Sequence, residues 1–223
     1  MKAADLGGSW RARQVQRATN DEEADEDRRL VESHRSPGLK EVFASTARHK
    51  DLRILDLGPS VAGNFEFYTD FASRVRFVDL FGHDRHIDVA QSMGFKARVH
   101  DLEEITAKHA GTFDVTFAWD VFNYVPEDQA RMVVQALARL CRPGARLLAI
   151  IVEADTMPAR PSTYRIINEE SLAYQLEGTE IRGGPQLPPA AVERLLAGFA
   201  VEHTFVLRHG VREYVAVRKE EGI

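Results

Sequence analysis

The 223-residue chain is poor in cysteine, and this scarcity excludes several kinds of protein. Its one cysteine, Cys141, has no partner for an intramolecular disulfide and no second thiolate for a cysteine-based zinc cluster. Eight histidines are spread along the chain without a His-x-x-x-His pair. His83 and His86, with Asp84 between them, come nearest to a metal-binding group, but the polar start of a helix explains them more simply. We therefore expect no metal.

Long apolar runs and an excess of positive charge are also missing. No window reaches the roughly 18 apolar residues of a membrane span, and the N-terminus lacks the apolar core of a secretory signal. Lys and Arg number 29 against 34 Asp and Glu, so the formal net charge of −5 favours no broad nucleic-acid surface. The composition, 44% hydrophobic and 28% charged, is that of an ordinary globular protein. We expect a cytoplasmic protein without membrane or nucleic-acid partners.

Two regions depart from a regular pattern of apolar residues. Residues 1–36 are polar and contain a dense run of acids, which predicts a flexible arm, either a solvated tail or a lid or dimerisation arm. Residues 154–190 are rich in proline and lack a long apolar period, which predicts an insertion. The expected domain therefore spans residues 37–223, with residues 154–190 inserted in it.

Strand and helix patterns alternate through the rest of the chain, which is typical of a parallel sheet covered on both faces. The predicted strands are 52–57, 75–79, 96–99, 114–118 and 145–152. The predicted helices are 39–49, 63–72, 84–92, a short one from Glu103, 127–141 and one around 192–196. Alternating strands at 200–207 and 212–218 then close the chain as a hairpin. The pattern predicts an α/β fold with a seven-stranded, mostly parallel, doubly wound sheet and a C-terminal antiparallel hairpin.

Carboxylates follow the first two predicted strands. Asp56 and Gly58 end a short apolar strand, as in a turn that binds a nucleotide. Asp79 ends the next strand about twenty residues further on, which is the spacing of a βαβ unit that holds a ribose. This pair of acids predicts an adenosine-containing cofactor.

The loop from Leu55 to Gly63 is similar to the acid-x-Gly-x-Gly-x-Gly loop of class I S-adenosylmethionine-dependent methyltransferases, with Ser60 and Ala62 in place of the second and third glycines. The order of elements over residues 39–218 also resembles that family. The resemblance implies that S-adenosylmethionine is the cofactor and that a small molecule accepts the methyl group on oxygen or nitrogen. It further implies that Asp56 helps to orient the cofactor's amino group, and that Gly58 and Ser60 approach the cofactor closely.

Two further patterns extend this resemblance towards the adenosine. Asp79 occupies the place of an acid that accepts both ribose hydroxyls. The neighbouring Leu80 would supply an apolar wall to the adenine, and packing in the core is an equally good interpretation of it. Asp101 and Leu102, after the predicted third strand, resemble the pair that reads the adenine edge. An N-cap of the following helix is an equally good interpretation of Asp101.

The segment 113–125 is similar to the family's fourth strand and the loop after it. The resemblance implies that Trp119 and Asp120 line the cofactor pocket and that Asn123 and Tyr124 face the substrate. A structural role in the core is the alternative for both aromatic residues.

The insertion at 154–190 lies on the substrate side of the fold in this family. It contains Arg160, Tyr164 and Arg165, which would suit an anionic or aromatic acceptor, and ordinary loop polarity is the alternative interpretation. Tyr164 is a candidate substrate residue. No catalytic residue stands out. Candidates for a general base are Glu153, His100 and Tyr124, from their expected position near the strand ends.

Two other functions compete with methyl transfer. The replaced glycines favour a methyltransferase-like domain that binds or regulates without catalysis. Gly58, Ser60 and Gly63 also trace an incomplete G-x-G-x-x-G, and Asp79 would suit a nicotinamide-dependent oxidoreductase. The chain lacks a Tyr-x-x-x-Lys pair for hydride transfer, which weighs against the oxidoreductase.

Overall fold

The computed structural model describes residues 30–46, 51–70, 72–82, 93–176, 178–208 and 210–220. The strands are β1 (Leu30–Arg35), β2 (Leu52–Asp56), β3 (Ala72–Phe77), β4 (Phe113–Trp119), β5 (Cys141–Val152), β6 (Thr156–Pro158), β7 (Thr163–Asn168), β8 (Ser171–Leu176), β9 (Ile181–Gly183), β10 (Phe199–Val206) and β11 (Val211–Arg218). The helices are α1 (Pro37–Thr46), α2 (Ala62–Thr69), α3 (Met93–His109), α4 (Glu127–Leu140) and α5 (Pro189–Leu195), with a 3-10 turn at Val121–Asn123.

The large sheet has the strand order β10-β11-β5-β4-β2-β3. β3, β2, β4 and β5 run parallel to one another, whereas β11 is antiparallel to both β5 and β10. The central strands β4 and β5 are apolar on both faces because helices or further chain cover both sides. The expected α/β class, with a mostly parallel sheet and a terminal antiparallel hairpin, is confirmed.

The strand predicted at 96–99 is wrong, because that segment belongs to α3. Val99, Leu102 and Ile105 are spaced three residues apart, and all three are buried in one core cluster, which is a helical pattern. The large sheet therefore has six strands within the described residues, and the expected count of seven is not confirmed. The helix predicted at 84–92 lies outside the described residues.

Side chains alternate between the two faces of the large sheet and form two separate cores. Leu55 and Leu147 face a core that includes α3, α4 and α5, whereas Ile54 and Leu148 face a second core with α1 and α2. Successive strand residues point to opposite faces, so neighbouring positions in the sequence contribute to different cores. The sheet is the shared layer between them.

A smaller antiparallel sheet, in the order β1-β8-β7, joins the second core. Tyr164, Ile166 and Leu172 from this sheet are buried against α2 and the large sheet. β1 comprises residues 30–35, which the sequence assigned to the polar arm, and it pairs with β8 in the insertion. The end of the arm and the insertion are thus one structural unit.

The N-terminus of α1 is bound to β11 through a buried carboxylate. Ser36 precedes the helix, and its Oγ accepts the N–H of Leu39 (3.1 Å) and donates to Glu213 Oε1 (2.6 Å). The other carboxylate oxygen of Glu213 accepts the N–H of Gly38 (2.7 Å). Glu213 has no exposed surface, so these donors replace water around its charge. The carboxylate also lies at the helix end where the backbone dipole favours negative charge.

Candidate cofactor site

The carboxyl ends of β2, β3 and β4 meet at one edge of the large sheet. Asp56 ends β2, Trp119 ends β4 and Asp79 follows β3 by two residues. The N–H of Val78 donates to the carbonyl oxygen of Asp56 (2.8 Å), which keeps the two acid-bearing chain segments side by side. This edge is where open α/β sheets bind their ligands. We call it the crevice.

Asp56 is fully buried, and its carboxylate accepts three hydrogen bonds from the protein. Oδ1 accepts the N–H of Gly58 (2.8 Å) and the indole N–H of Trp119 (2.6 Å), and Oδ2 accepts the hydroxyl of Tyr68 (2.9 Å). Burial raises the pKa of Asp56 to about 6, although these donors act in the opposite direction. The acid expected to orient the cofactor is therefore engaged by internal partners.

Trp119 is the centre of a stack of four aromatic rings that runs across the crevice. Phe117 and Trp119 point to the same face of β4, and their rings stack with centroids 5.0 Å apart. Tyr164 stacks on the outer side of Trp119 at 5.2 Å, and Tyr68 stacks on Phe117 at 5.7 Å. We call these four residues the aromatic column. Trp119 has φ +47°, a left-handed conformation that is unfavourable for a bulky residue.

The indole of Trp119 also occupies the space that Gly58 leaves open. A Cβ atom at Gly58 would lie 3.1 Å from the indole ring and 3.1 Å from Asp56 Oδ1. The glycine therefore lets an internal side chain approach closely, and a larger residue would force the indole or the carboxylate to shift by a few tenths of an ångström. Ser60 and Ala62, which replace the other two glycines of the motif, are exposed.

Asp79, which the sequence predicts as the ligand of the ribose, lies in a tight turn. Its Oδ1 accepts the N–H groups of Phe81 (3.1 Å) and Gly82 (2.9 Å), and the residue is partly exposed. The turn lies beside the end of β2, because the N–H of Val78 donates to the carbonyl oxygen of Asp56. Leu80, expected as a wall for adenine, is fully buried in the core next to it.

The structure puts Asp101 inside helix α3, so it neither follows a strand nor caps a helix. Both interpretations of this residue assumed a strand or helix boundary at residue 100, and there is none. Its neighbour Leu102 is fully buried in the α3–α4 side of the core. Neither position corresponds to the strand end from which the adenine contact was expected.

The residues after β4 are all buried and bonded to other parts of the protein. Asp120 Oδ2 accepts the N–H of Ser162 (3.0 Å). Asn123 donates to the carbonyl oxygen of Ile150 and accepts the N–H of Val152, both at 3.0 Å, and so connects the 3-10 turn to β5. Tyr124 is 4% exposed, and its hydroxyl lies 2.8 Å from the carbonyl oxygen of Arg160 and 3.2 Å from that of Pro158.

Asn64 connects the crevice to the smaller sheet, and sequence analysis missed it. Its Nδ2 donates to the carbonyl oxygen of Tyr164 (3.0 Å), and its Oδ1 accepts the N–H of Ile166 (2.7 Å). Only 1% of Asn64 is exposed. Tyr68 was missed as well. Neither residue belongs to a motif, and their partners are distant in the sequence.

The three candidates for a general base have different surroundings. Glu153 forms an ion pair with Arg212, whose Nη2 donates to Glu153 Oε2 at 2.9 Å. His100 is exposed on α3, close to Glu103 and Glu104. Tyr124 is buried, and burial raises its pKa well above the ordinary value of 10.0. The surroundings of these three side chains do not single out one of them as a base.

The described part of the chain contains no group of three or more His, Cys, Asp or Glu side chains that could hold a metal ion. His83 and His86 lie outside the described residues. None of the described helices is long and apolar enough to cross a membrane.

The fold is that of an open α/β protein, and the crevice lies at the sheet edge where such proteins bind nucleotide-type ligands. The ribose end of this edge fits S-adenosylmethionine, because Asp79 offers a partly exposed carboxylate. The methionine end does not fit in the arrangement described, because Trp119 is packed against Gly58 and bonded to Asp56. In this arrangement, therefore, only the ribose end of the predicted cofactor site has a partly exposed carboxylate for its part of the ligand.

This chain is similar to known proteins in its structure and not in its sequence. No protein-family model and no curated protein matches the sequence. The fold is similar to that of the Burkholderia thailandensis 1,6-didemethyltoxoflavin-N1-methyltransferase, solved with bound 1,6-didemethyltoxoflavin and S-adenosylhomocysteine. The two are 14% identical with a TM-score of 0.49, over 82% of this chain and 77% of that one.

Two other similar structures are a TehB-like S-adenosylmethionine-dependent methyltransferase from Corynebacterium glutamicum and the magnesium protoporphyrin IX methyltransferase of Synechocystis, solved with bound cofactor. The first is 13% identical with a TM-score of 0.47, over 82% of this chain and 88% of that one. The second is 15% identical with a TM-score of 0.43, over 81% of this chain and 76% of that one. All three proteins belong to the class that the sequence motifs resemble, and each likeness is distant. The function of this chain is therefore inferred from its own residues.

Proposed function

We propose that this protein binds S-adenosylmethionine in the crevice and transfers its methyl group to an oxygen or nitrogen atom of a small molecule. The observation that carries the proposal is the meeting of Asp56 and Asp79 at the carboxyl ends of neighbouring parallel strands, with Gly58 in the loop after the first. Two acids at this edge, one of them partly exposed, suit a ligand with hydroxyl and amino donors.

The side chains divide the proposed site into two ends. Asp79 would accept hydrogen bonds from both ribose hydroxyls, since an ionised carboxylate has two oxygens matched to a diol. Asp56, Gly58 and Trp119 would lie at the methionine end. When bound, the cofactor supplies the activated methyl group, and the protein's part is to bind, orient and exclude water.

The acceptor is proposed to lie against the segment from β6 to β9. Tyr124, Asn123 and Tyr164 would form its buried wall and support. Arg182 lies over the ring of Tyr124, with its Cζ 6.0 Å from the ring centroid, and provides positive charge at that wall. An anionic or aromatic small molecule would suit such a surface.

A second candidate function is a binding or regulatory module that does not catalyse. The observation in its favour is that Asp56 already accepts three internal hydrogen bonds, so no cofactor is needed to satisfy it. If Trp119 filled the crevice permanently, the protein would keep its fold but would not transfer a methyl group. Loss of cofactor binding would distinguish this candidate from the first.

The first experiment is calorimetric titration with S-adenosylhomocysteine, with NADH as the test of the oxidoreductase alternative. We expect Asp79→Asn to weaken S-adenosylhomocysteine binding by roughly 10- to 100-fold, the effect of losing charge-assisted hydrogen bonds to the ribose. Asparagine keeps an oxygen for the N–H groups of Phe81 and Gly82, so the turn should persist.

Asp70→Asn is the matched control, because Asp70 is an exposed acid at the other end of α2. It should leave the affinity unchanged. Equal affinity in Asp79→Asn and in the unmodified protein would remove the ribose assignment. NADH binding without S-adenosylhomocysteine binding would instead support the oxidoreductase.

A further inference from the structure

We propose that Trp119 and Tyr164 form a gate over the methionine end of the crevice, and that Asn64 holds this gate closed. The arrangement described is the closed one, and the cofactor's methionine part enters only when the indole leaves Asp56 and Gly58. This inference rests on the proposed function for the identity of the ligand. The gate itself can be observed without any ligand.

Several contacts of Trp119 stabilise the closed arrangement together. Its indole N–H donates to Asp56, its ring lies against Gly58, and the ring of Tyr164 covers its outer face with an interplanar angle of 5°. Only 2% of Trp119 is exposed. A ligand that needs Gly58 and Asp56 must therefore displace this side chain.

The backbone at Trp119 indicates that the closed arrangement has a conformational cost. A left-handed φ of +47° for a non-glycine residue persists only where surrounding contacts maintain it. The ladder between β4 and β5 is also irregular between Phe117 and Trp119. Release of the contacts to Tyr164 and Asp56 would let this residue leave the unfavourable conformation, which favours a second position for the ring.

Asn64 holds the outer half of the gate in place. Its side chain bonds the backbone of Tyr164 and Ile166 on β7 to the first turns of α2, directly after the loop that contains Gly58. Arg165 packs beside Gly63, the residue that precedes Asn64, since a Cβ atom at Gly63 would lie 3.1 Å from Arg165 Cδ. The gate therefore opens by separation of β7 from α2, with Asn64 as the polar connection that must break.

The test uses fluorescence of Trp119 in the full chain. The protein has two tryptophans, so Trp10→Phe leaves Trp119 as the single indole. In that background we expect Asn64→Ala to raise quenching of Trp119 by acrylamide at least about twofold, because loss of two hydrogen bonds increases the population of the open arrangement. Unchanged quenching would overturn the gate.

Asn168→Ala is the matched control. Asn168 lies on the same strand, but its side chain accepts the N–H of Glu170 within the β7–β8 turn and makes no bond to α2. Quenching should be unchanged in this variant. An increase for Asn168→Ala equal to that of Asn64→Ala would contradict the role of Asn64.

Titration with S-adenosylhomocysteine then separates the gate from the proposed function. We expect Asn64→Ala to bind about fivefold to tenfold more tightly than the parent, since less of the protein is in the closed arrangement. Binding should also increase the exposure of Trp119 in the parent. Binding to the parent with no change at Trp119, and with equal affinity in Asn64→Ala, would overturn the gate and leave the cofactor assignment intact. Increased quenching in Asn64→Ala without binding in any variant would support the gate and overturn the assignment.

Discussion

Asp56 shows how one carboxyl group can serve structure and ligand binding at the same position. It is buried, no cationic side chain among the described residues pairs with it, and three neutral donors satisfy it. Such a group is ionised at neutral pH only at a cost, because the low dielectric disfavours its charged form. Any ligand that replaces these donors therefore changes the cost of keeping the carboxylate of Asp56 ionised in the crevice.

Asp56→Asn should change the pH dependence of stability. Burial raises the pKa of this carboxyl in the folded state from 3.8 to about 6. The protonated carboxyl therefore contributes to the free energy of unfolding, and this contribution is fully present below pH 3.8 and is lost as pH rises towards 6. The shift corresponds to about 3 kcal/mol. Asparagine does not titrate, so we expect the variant to gain about that much relative to the unmodified protein between pH 4 and pH 7.

Urea unfolding at pH 4, 5, 6 and 7 would measure this difference. Asp70→Asn, at an exposed position, should follow the unmodified protein at every pH. If the difference in unfolding free energy between Asp56→Asn and the unmodified protein is the same at all four pH values, the carboxyl is not shifted as described.

Among the elements, α1 is the one whose position depends most on a few polar contacts. Ser36 is both the cap of the helix and a donor to the buried Glu213, so it joins β1, α1 and β11. Gly38 allows the carboxylate to approach, since a Cβ atom there would lie 2.9 Å from Glu213 Oε2. The helix is thus attached to the sheet by its first turn.

Ser36→Ala should lower the free energy of unfolding by about 1–3 kcal/mol, because it removes a cap and leaves a buried carboxylate oxygen without a donor. Urea denaturation would measure the change. Ser45→Ala is the control within the same helix, since the Ser45 hydroxyl donates locally to the carbonyl oxygen of Val42 (2.9 Å), and it should change stability by less than about 0.5 kcal/mol. Equal effects of the two substitutions would contradict the role of Ser36.

For the whole molecule, the important feature is that one sheet serves two cores. Leu147 and Leu148 are adjacent in β5, both are fully buried, and each belongs to a different core. The crevice lies at the end of the second core, because Trp119 and Tyr164 are members of it. The stability of the sheet and the closure of the proposed gate are therefore connected through shared side chains.

Leu147→Ala and Leu148→Ala should each lower the free energy of unfolding by about 2–5 kcal/mol, the usual cost of a cavity in a core. Because the two cores share one sheet, both variants should unfold in a single transition. In the Trp10→Phe background, Trp119 fluorescence and far-UV circular dichroism should give the same midpoint. An earlier fluorescence transition in Leu148→Ala alone would show that the second core unfolds independently.

Local patterns in the sequence determined the order of elements and the position of the two acids. Short apolar runs identified β2, β4 and β5, alternating residues identified the terminal hairpin, and acids after strands fall at one edge of a parallel sheet by geometry alone. The segment 96–99 failed because four residues do not distinguish a strand from one turn of a buried helix. The longer period of Val99, Leu102 and Ile105 was the stronger signal.

Only the tertiary structure decided what surrounds these acids. The sequence predicted Asp56 and Trp119 at strand ends, but the hydrogen bond between them, the stacking of Tyr164 and the bridge from Asn64 join residues far apart in the chain. Such contacts depend on how β7 packs across the crevice. Periodicity and motif spacing describe single elements, so they carry no information on which side chain of one element fills the space beside another.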